Sequence, residues 1–335
     1  MNGADLRHKL AAQEPLQLGS FPTPIQPLIR LSQWLGGPDI WIKRDDLDGV
    51  GGGGNKIRKL NFLLAEALQR GADIVLTTGA TQSNHARQTA AMAARLGLAC
   101  RLVLQADGPP RQTSGNYLLD NLLGAEIRWT KGRDPAEVMA AEAADLVEKG
   151  RTPYIIPYGG SNARGILGFT AAFREFIAQS AADGIPFDAI VIASSSGGTQ
   201  AGLTLGAKVL KWPGRIIGVS IAEQEQPLVS RMIELAASGA ELLDLDLHFH
   251  PWDFTVNDAF LGGGYGVVGQ LEREAIRTLA RTEGLFVDPV YTGRALGGLM
   301  EMIRSGDLRD ARRVLFWHTG GTPAIYAYHR ELGRL

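Results

Sequence analysis

Between residues 56 and 70 the apolar side chains Ile57, Leu60, Leu64 and Leu68 recur at the spacing of one helix face. Just upstream, residues 40–44 read as a strand that runs into Asp45, Asp46 and four consecutive glycines. Downstream, apolar runs at 74–78, 100–104, 154–157, 188–193, 216–221 and 313–317 predict further strands. Helical patterns cover 85–96, 116–124, 135–149, 165–179, 200–210, 228–237, 271–283 and 322–332. Strand and helix alternating in this way predict an α/β fold, with mostly parallel, twisted sheets flanked by helices. Ligands in such sheets bind beyond the carboxyl ends of the strands. The polar turns 79–84, 194–199 and 318–321 all fall there.

Composition narrows the classes without choosing one. A chain of 335 residues, 45% hydrophobic and 21% charged, suits one large globular domain or two. A formal net charge of -1 and no basic stripe argue against nucleic acid as a partner. The single cysteine, Cys100, excludes an internal disulfide and a cysteine-built metal site. No apolar run opens the chain as a signal peptide, and none reaches the roughly 18 residues of a membrane span. A cytoplasmic protein with no membrane partner is expected.

The chemistry concentrates at the glycine run. Gly51-Gly-Gly-Gly54 lets a ligand approach the main chain, and Lys56 follows after one asparagine, at a loop-to-helix junction. The positive end of a helix disfavours a charged amine, and a lysine that loses its proton can form a Schiff base. Lys59, one turn further on, is the rival. Ser194-Ser-Ser-Gly-Gly-Thr199 follows a strand and opens a helix, so it reads either as an anion cradle or as a bare glycine-rich turn. Thr81-Gln-Ser-Asn-His85 reads either as a substrate-holding cluster or as a helix cap, and taken alone the cap is favoured. A P-loop fails, because Asn55 and Ile57 stand where its glycine–lysine–hydroxyl series is required. No glycine fingerprint for a dinucleotide follows a strand. His248-Phe-His250 reads as a polar strand face rather than a metal site. Lys43, Arg44, Asp45 and Asp46 read as a solvated or ion-paired strand end. Tyr265 and Tyr291 each sit in a glycine-containing turn, and Thr319 offers a neutral hydroxyl at the ligand-binding edge.

Taken in order, Pro22-Thr-Pro24, Lys43-Arg-Asp-Asp46, Gly53-Gly-Asn-Lys-Ile-Arg-Lys59, Gln82-Ser-Asn-His85, Ser195-Ser-Gly-Gly-Thr199, Asp288-Pro-Val-Tyr291 and His318-Thr-Gly-Gly321 resemble the pyridoxal-phosphate enzymes of the tryptophan-synthase β-like fold. The branch they resemble holds the D-cysteine desulfhydrases, 1-aminocyclopropane-1-carboxylate (ACC) deaminases and L-cysteate sulfo-lyases, and the likeness runs from about Phe21 to about Tyr328. It implies that Lys56 carries pyridoxal 5'-phosphate and moves the Cα proton, and that Asn84 meets the ring hydroxyl. It implies that Ser195, Ser196, Gly197, Gly198 and Thr199 hold the phosphate, with Thr319 near the pyridine nitrogen. Ser83, Asn84, His85, Tyr265 and Tyr291 would face the substrate, with Ser83 and Tyr291 joining Lys56 in catalysis. Ring-opening deaminases carry a glutamate and a leucine where this chain has Thr292 and Thr319. That pair lowers the expectation of ring opening and favours β-elimination from D-cysteine to pyruvate, hydrogen sulfide and ammonia, with L-cysteate the runner-up. A non-catalytic binder of a phosphorylated or amino-acid ligand is the reading from another class. The resemblance also implies a homodimer, a larger domain from 1–50 plus 160–335 and a smaller one from 51–159.

Overall fold

The computed structural model describes residues 1–333; the last two positions of the expected larger domain lie outside the described residues. Ten strands form two sheets. The larger sheet takes β1 (Ile25–Pro27), β2 (Asp39–Arg44), β7 (Ala189–Ser194), β8 (Arg215–Ser220), β9 (Thr255–Asn257) and β10 (Arg313–His318) in the order β1-β2-β10-β7-β8-β9. Only the β1–β2 pairing is antiparallel. The smaller sheet is wholly parallel and takes β3 (Ile74–Gly79), β4 (Ala99–Leu104), β5 (Glu126–Trp129) and β6 (Pro153–Ile155) in the order β5-β4-β3-β6.

Both sheets are covered on both faces, which is why central strands such as β3, β7 and β10 are apolar runs, while the edge strand β5 alternates. Along β10, Val314 and Phe316 enter one core while Leu315 and Trp317 enter the opposite one. The first core is closed by α2 (Ile29–Leu35), α10 (Gln270–Glu283) and α11 (Thr292–Arg304), the second by α7 (Ala163–Asp183) and α8 (Gly198–Leu210). The smaller sheet packs on α3 (Lys56–Gln69), α4 (Asn84–Leu96) and α5 (Gly115–Leu122), with α6 (Pro135–Glu148) opposite. Helix α3 also packs on α7, so it joins the two sheets.

Most expected elements are present, with differences that have physical causes. α9 (Glu225–Leu242) includes Pro227, which in a first turn loses no intrahelical hydrogen bond. α11 escaped the sequence pattern because Gly293, Gly297 and Gly298 weaken it as a helix. Those glycines are packing positions: a Cβ on Gly297 would lie 2.6 Å from Leu271 and one on Gly298 2.9 Å from Phe260. The helix expected over 322–332 is a 3-10 turn, Thr322–Tyr328, followed by a short α12, His329–Leu332. His248 and His250 are not on a strand, and the His250 ring stacks on Trp252 at 4.4 Å. The short elements α1 (Gly3–Ala11), β1, α2, β5 and β9 carried too little periodicity to be read from sequence.

Candidate active site

The glycine loop is shaped by what it touches. Gly51, Gly52, Gly53 and Gly54 have φ of 55°, 84°, 73° and 132°. A Cβ at Gly53 would meet the Asp46 carbonyl at 2.0 Å, so only glycine fits. Arg87, fully buried on α4, clamps the loop by donating to the carbonyls of Gly51 (2.6 Å) and Gly53 (2.8 Å). The chain then enters α3 at Lys56, whose backbone N–H donates to Gln88 Oε1 at 2.9 Å.

Lys56 lines a cavity with Ser83, Asn84, His85, Ser195, Ser196, Gly197, Thr199, Tyr291 and Thr319. Ten of the twelve residues singled out from the sequence thus converge, from both sheets, on one cavity. Burial pushes the Lys56 amine down to about 8. The sequence pointed to the positive helix end for this shift; in the fold the cause is loss of water. Lys59, the rival lysine, does not line the cavity. Its Nζ donates to Gly159 O (3.1 Å) and Ser161 Oγ (3.0 Å), and burial, then Lys56, holds it well below the usual lysine value.

Residues 195–199 form a cradle at the start of α8. Gly197 has φ of 80°, and the backbone N–H groups of Gly198, Thr199 and Gln200 have no acceptor among the described residues. A Cβ on Gly198 would come within 2.4 Å of Ser161 Oγ and 2.8 Å of Lys59 Nζ, so an added methyl would intrude on both. Ser161 Oγ and Ser196 Oγ are 2.8 Å apart, which links Lys59 to the turn. One point beside Gly159 Cα is 2.5 Å from Ser196 Oγ and 3.6 Å from Lys56 Nζ, which ties the amine to the cradle. Gly198 lies just behind the cavity lining rather than in it.

The start of α4 reconciles its two readings. Ser83 Oγ accepts from Ala86 N at 3.1 Å and so caps the helix, while its hydroxyl proton has no acceptor among the described residues and remains to be donated. Asn84 Oδ1 accepts from Asn116 Nδ2 at 2.7 Å, which fixes its amide. His85 Nε2 lies 2.8 Å from Thr77 Oγ1, and among the described residues its Nδ1 has no hydrogen-bond partner. Burial, then Lys56 and Lys59, keeps the ring neutral by lowering its pKa well below the usual histidine value.

Two expected residues sit further back. Tyr265 does not line the cavity but supports Tyr291, their hydroxyls 2.6 Å apart. Burial raises the pKa of both phenols, which keeps them protonated. Thr292 is fully buried and turned away, its Oγ1 donating to Asp288 Oδ1 at 2.8 Å, so of the two diagnostic threonines only Thr319 lines the cavity. The strand end at 43–46 is paired but not solvated: Lys43 and Asp45 are fully buried.

Sequence reading missed Asn55, Tyr158, Gly159, Asn116 and Ser161. Asn55 joins the start of α8 to the turn after β10, its Nδ2 donating to Thr199 Oγ1 (3.1 Å) and its N–H to Thr319 O (3.0 Å). Its place between the glycines and Lys56 was the available signal. The other four had none, because their roles come from elements that meet only in the folded chain.

A family model described as pyridoxal-phosphate dependent enzyme matches residues 16–320. The D-cysteine desulfhydrase of Yersinia enterocolitica is 43% identical over 336 residues, spanning 98% of this chain and 99% of that protein. The D-cysteine desulfhydrase of Salmonella choleraesuis is 41% identical over 331 residues, spanning 96% and 98%. A solved structure described as an ACC deaminase homologue matches with a TM-score of 0.89 at 39% identity, covering 98% of both chains. A pyridoxal 5'-phosphate-dependent aspartate racemase, at a TM-score of 0.64 and 16% identity over 96% and 95% of the two chains, shares the fold.

Proposed function

This chain belongs to the family of pyridoxal-phosphate dependent enzymes, and from that premise we propose that it is a carbon–sulfur lyase acting on D-cysteine. The observation that carries the reading is the buried Lys56 amine, lowered to about 8, sharing one cavity with the serine–glycine cradle. These residues fit the cofactor. Lys56 would hold it covalently, the α8 N-terminus with Ser195, Ser196, Gly197, Gly198 and Thr199 would hold its phosphate, and Lys59 would brace that turn from behind through Ser161. Asn84 would meet its ring hydroxyl and Thr319 its pyridine edge. Bound there, pyridoxal phosphate supplies the electron sink for a carbanion at Cα.

The protein's own groups do the rest. The free Ser83 hydroxyl proton and the start of α4 hold the substrate carboxylate, with neutral His85 beside them. Lys56 takes the Cα proton. The Cβ–S bond breaks and the sulfur leaves with its electron pair as hydrosulfide. Tyr291, kept protonated by burial and braced by Tyr265, gives that sulfur a proton. The released enamine hydrolyses to pyruvate and ammonia.

Charge favours D-cysteine over L-cysteate. Among the described residues Lys56 is the only lysine or arginine lining the cavity. Arg231 approaches the Ser195 carbonyl at 3.4 Å but is already paired with Glu223. A sulfonate would therefore lack a dedicated counter-ion. Release of sulfide, sulfite and pyruvate from D-cysteine, L-cysteine and L-cysteate tests this. Sulfide and pyruvate from D-cysteine are expected; sulfite from L-cysteate with no sulfide from D-cysteine overturns the assignment.

We further assign residues 51–159 to a smaller domain and 1–50 with 160–335 to a larger one, supported by the placement of β3 to β6 in the first and the remaining six strands in the second. A homodimer completes the reading and is tested by sedimentation, where a species of twice the chain mass is expected. A cytoplasmic location is part of the same reading and is tested by cell fractionation.

A further inference from the structure

A second groove, of about 640 Å³, lies between α1, residues 15–22, α3 and α7, and it shares no lining residue with the active-site cavity. Its walls divide by chemistry. Leu10, Leu16, Phe21, Phe62, Ala171 and Ala178 give apolar surface, while Arg7 on α1 and Arg174 on α7 bring two guanidiniums to the same space. Among the buried arginines, Arg58 is neutralised by Asp45 and Glu175, Arg101 by Glu126 and Glu142 and Arg294 by Glu272, while Arg87 is hydrogen-bonded to the Gly51 and Gly53 carbonyls. On the groove wall Arg7 is exposed and Arg174 half-buried. Among the described residues, neither makes a hydrogen bond or an ion pair.

Burial lowers the pKa of the half-buried Arg174 and its repulsion with Arg7 lowers it further. Glu175, which also lines the groove with Arg58 and is paired with Lys43 and Arg58, pulls the other way with less effect. Two like charges facing one cavity repel each other unless an anion sits between them. The groove is also preformed. Asn61 on α3 accepts from Leu18 N (3.1 Å) and donates to Leu18 O (2.9 Å), and its carbonyl accepts from Leu16 N (2.9 Å), so the 15–22 wall is stitched to the helix.

We propose that this groove binds a small amphipathic organic anion, its carboxylate, sulfonate or phosphate head between Arg7 and Arg174 and its apolar body along Leu16, Phe21 and Phe62. The site is independent of the chemistry assigned to Lys56. A guanidinium pair supplies charge-assisted hydrogen bonds to the head, and the apolar wall takes the rest of the molecule out of water.

The probe is 8-anilinonaphthalene-1-sulfonate, titrated by fluorescence into the holoenzyme, whose catalytic cavity is filled by cofactor. Saturable binding is expected, weakened roughly tenfold in Arg7→Ala and in Arg174→Ala, the loss of one charged hydrogen-bond donor. Arg174→Lys keeps the charge and should stay within about threefold of wild type by the same reasoning. Ala178→Trp should block the groove, and Arg95→Ala, on the exposed end of α4, should change nothing. Wild-type affinity in both arginine-to-alanine variants overturns the proposal, as does unimpaired binding to Ala178→Trp. If Arg174→Ala leaves dye binding intact but shifts the subunit mass in sedimentation, the groove belongs to a second copy of the chain and the small-anion site falls.

Discussion

Lys56 is set apart by its surroundings and not by its chemistry. A lysine in water titrates near 10.5, whereas this one is lowered to about 8 because burial removes the solvent that stabilises its charge. Its neutral, nucleophilic fraction therefore rises as pH passes through about 8 rather than two units later. Reductive labelling of the apoprotein with pyridoxal, followed by peptide mapping, should show Lys56 modified with a midpoint near pH 8 while exposed lysines react only at higher pH. A midpoint near the ordinary lysine value would contradict the burial. Gly198 is the second sensitive position. Alanine there would place a methyl 2.4 Å from Ser161 Oγ. Overpacking on this scale costs about 1–3 kcal/mol, so cofactor affinity should fall by roughly 5- to 150-fold while Lys56 stays in place. A cofactor titration followed by absorbance checks it.

Helix α3 carries Lys56 at its first residue and is anchored two residues later. Arg58 donates to Asp45 Oδ1 (2.8 Å) and Oδ2 (3.0 Å) and to Glu175 Oε1 (2.9 Å) and Oε2 (3.0 Å). Asp45 also accepts from Thr23 Oγ1 (2.9 Å) and Trp317 Nε1 (2.8 Å), so one buried cluster ties α3 to β2, α7 and β10. Removing one member leaves a buried charge without its partner. Asp45→Asn should therefore cost about 3–5 kcal/mol in denaturant unfolding. Glu175 gives a pH signature. Burial alone would raise its pKa, but Arg58 and Lys43 outweigh that and hold it at about 2. A carboxylate lowered on folding stabilises above its unfolded value near 4.5 and loses that contribution as pH falls toward 2. The stability gap between wild type and Glu175→Gln should thus be open at pH 7 and close as the medium is acidified through that window. A gap that does not change with pH would mean the ion pairs are not what holds α3.

At the scale of the molecule, the cavity draws its lining from strand ends of both sheets and from helices that open on them. A ligand bound there stabilises the arrangement by mass action, about 2.7 kcal/mol at a hundred times its dissociation constant. Pyridoxal phosphate added to apoprotein should therefore raise the melting temperature by several degrees in a thermal scan. Lys56→Ala should keep part of that rise, because the cradle of α8 does not depend on the amine. Free phosphate should give a smaller rise, and no rise with either ligand would leave the cradle without a function.

Much of this was legible beforehand because it is written in local chemistry. Glycines that no other residue can replace, a lysine at a helix start and polar turns after apolar strands leave marks in consecutive residues. Strand–helix alternation gave the parallel sheets, and ordered motifs gave ten of the cavity's lining residues. What local pattern could not carry is distance and desolvation. Ser161, Asn116, Tyr158 and Gly159 matter because elements far apart in sequence pack together around the cavity. Lys59 and Lys56 differ in role because one packs behind the cradle and the other lines the cavity. Thr292 turns away from the cavity because Asp288 and Gly320 accept its hydroxyl. Residue order fixes which groups are available and which elements form. Which of them lose their water, and against whom, is settled only when the two sheets close on α3.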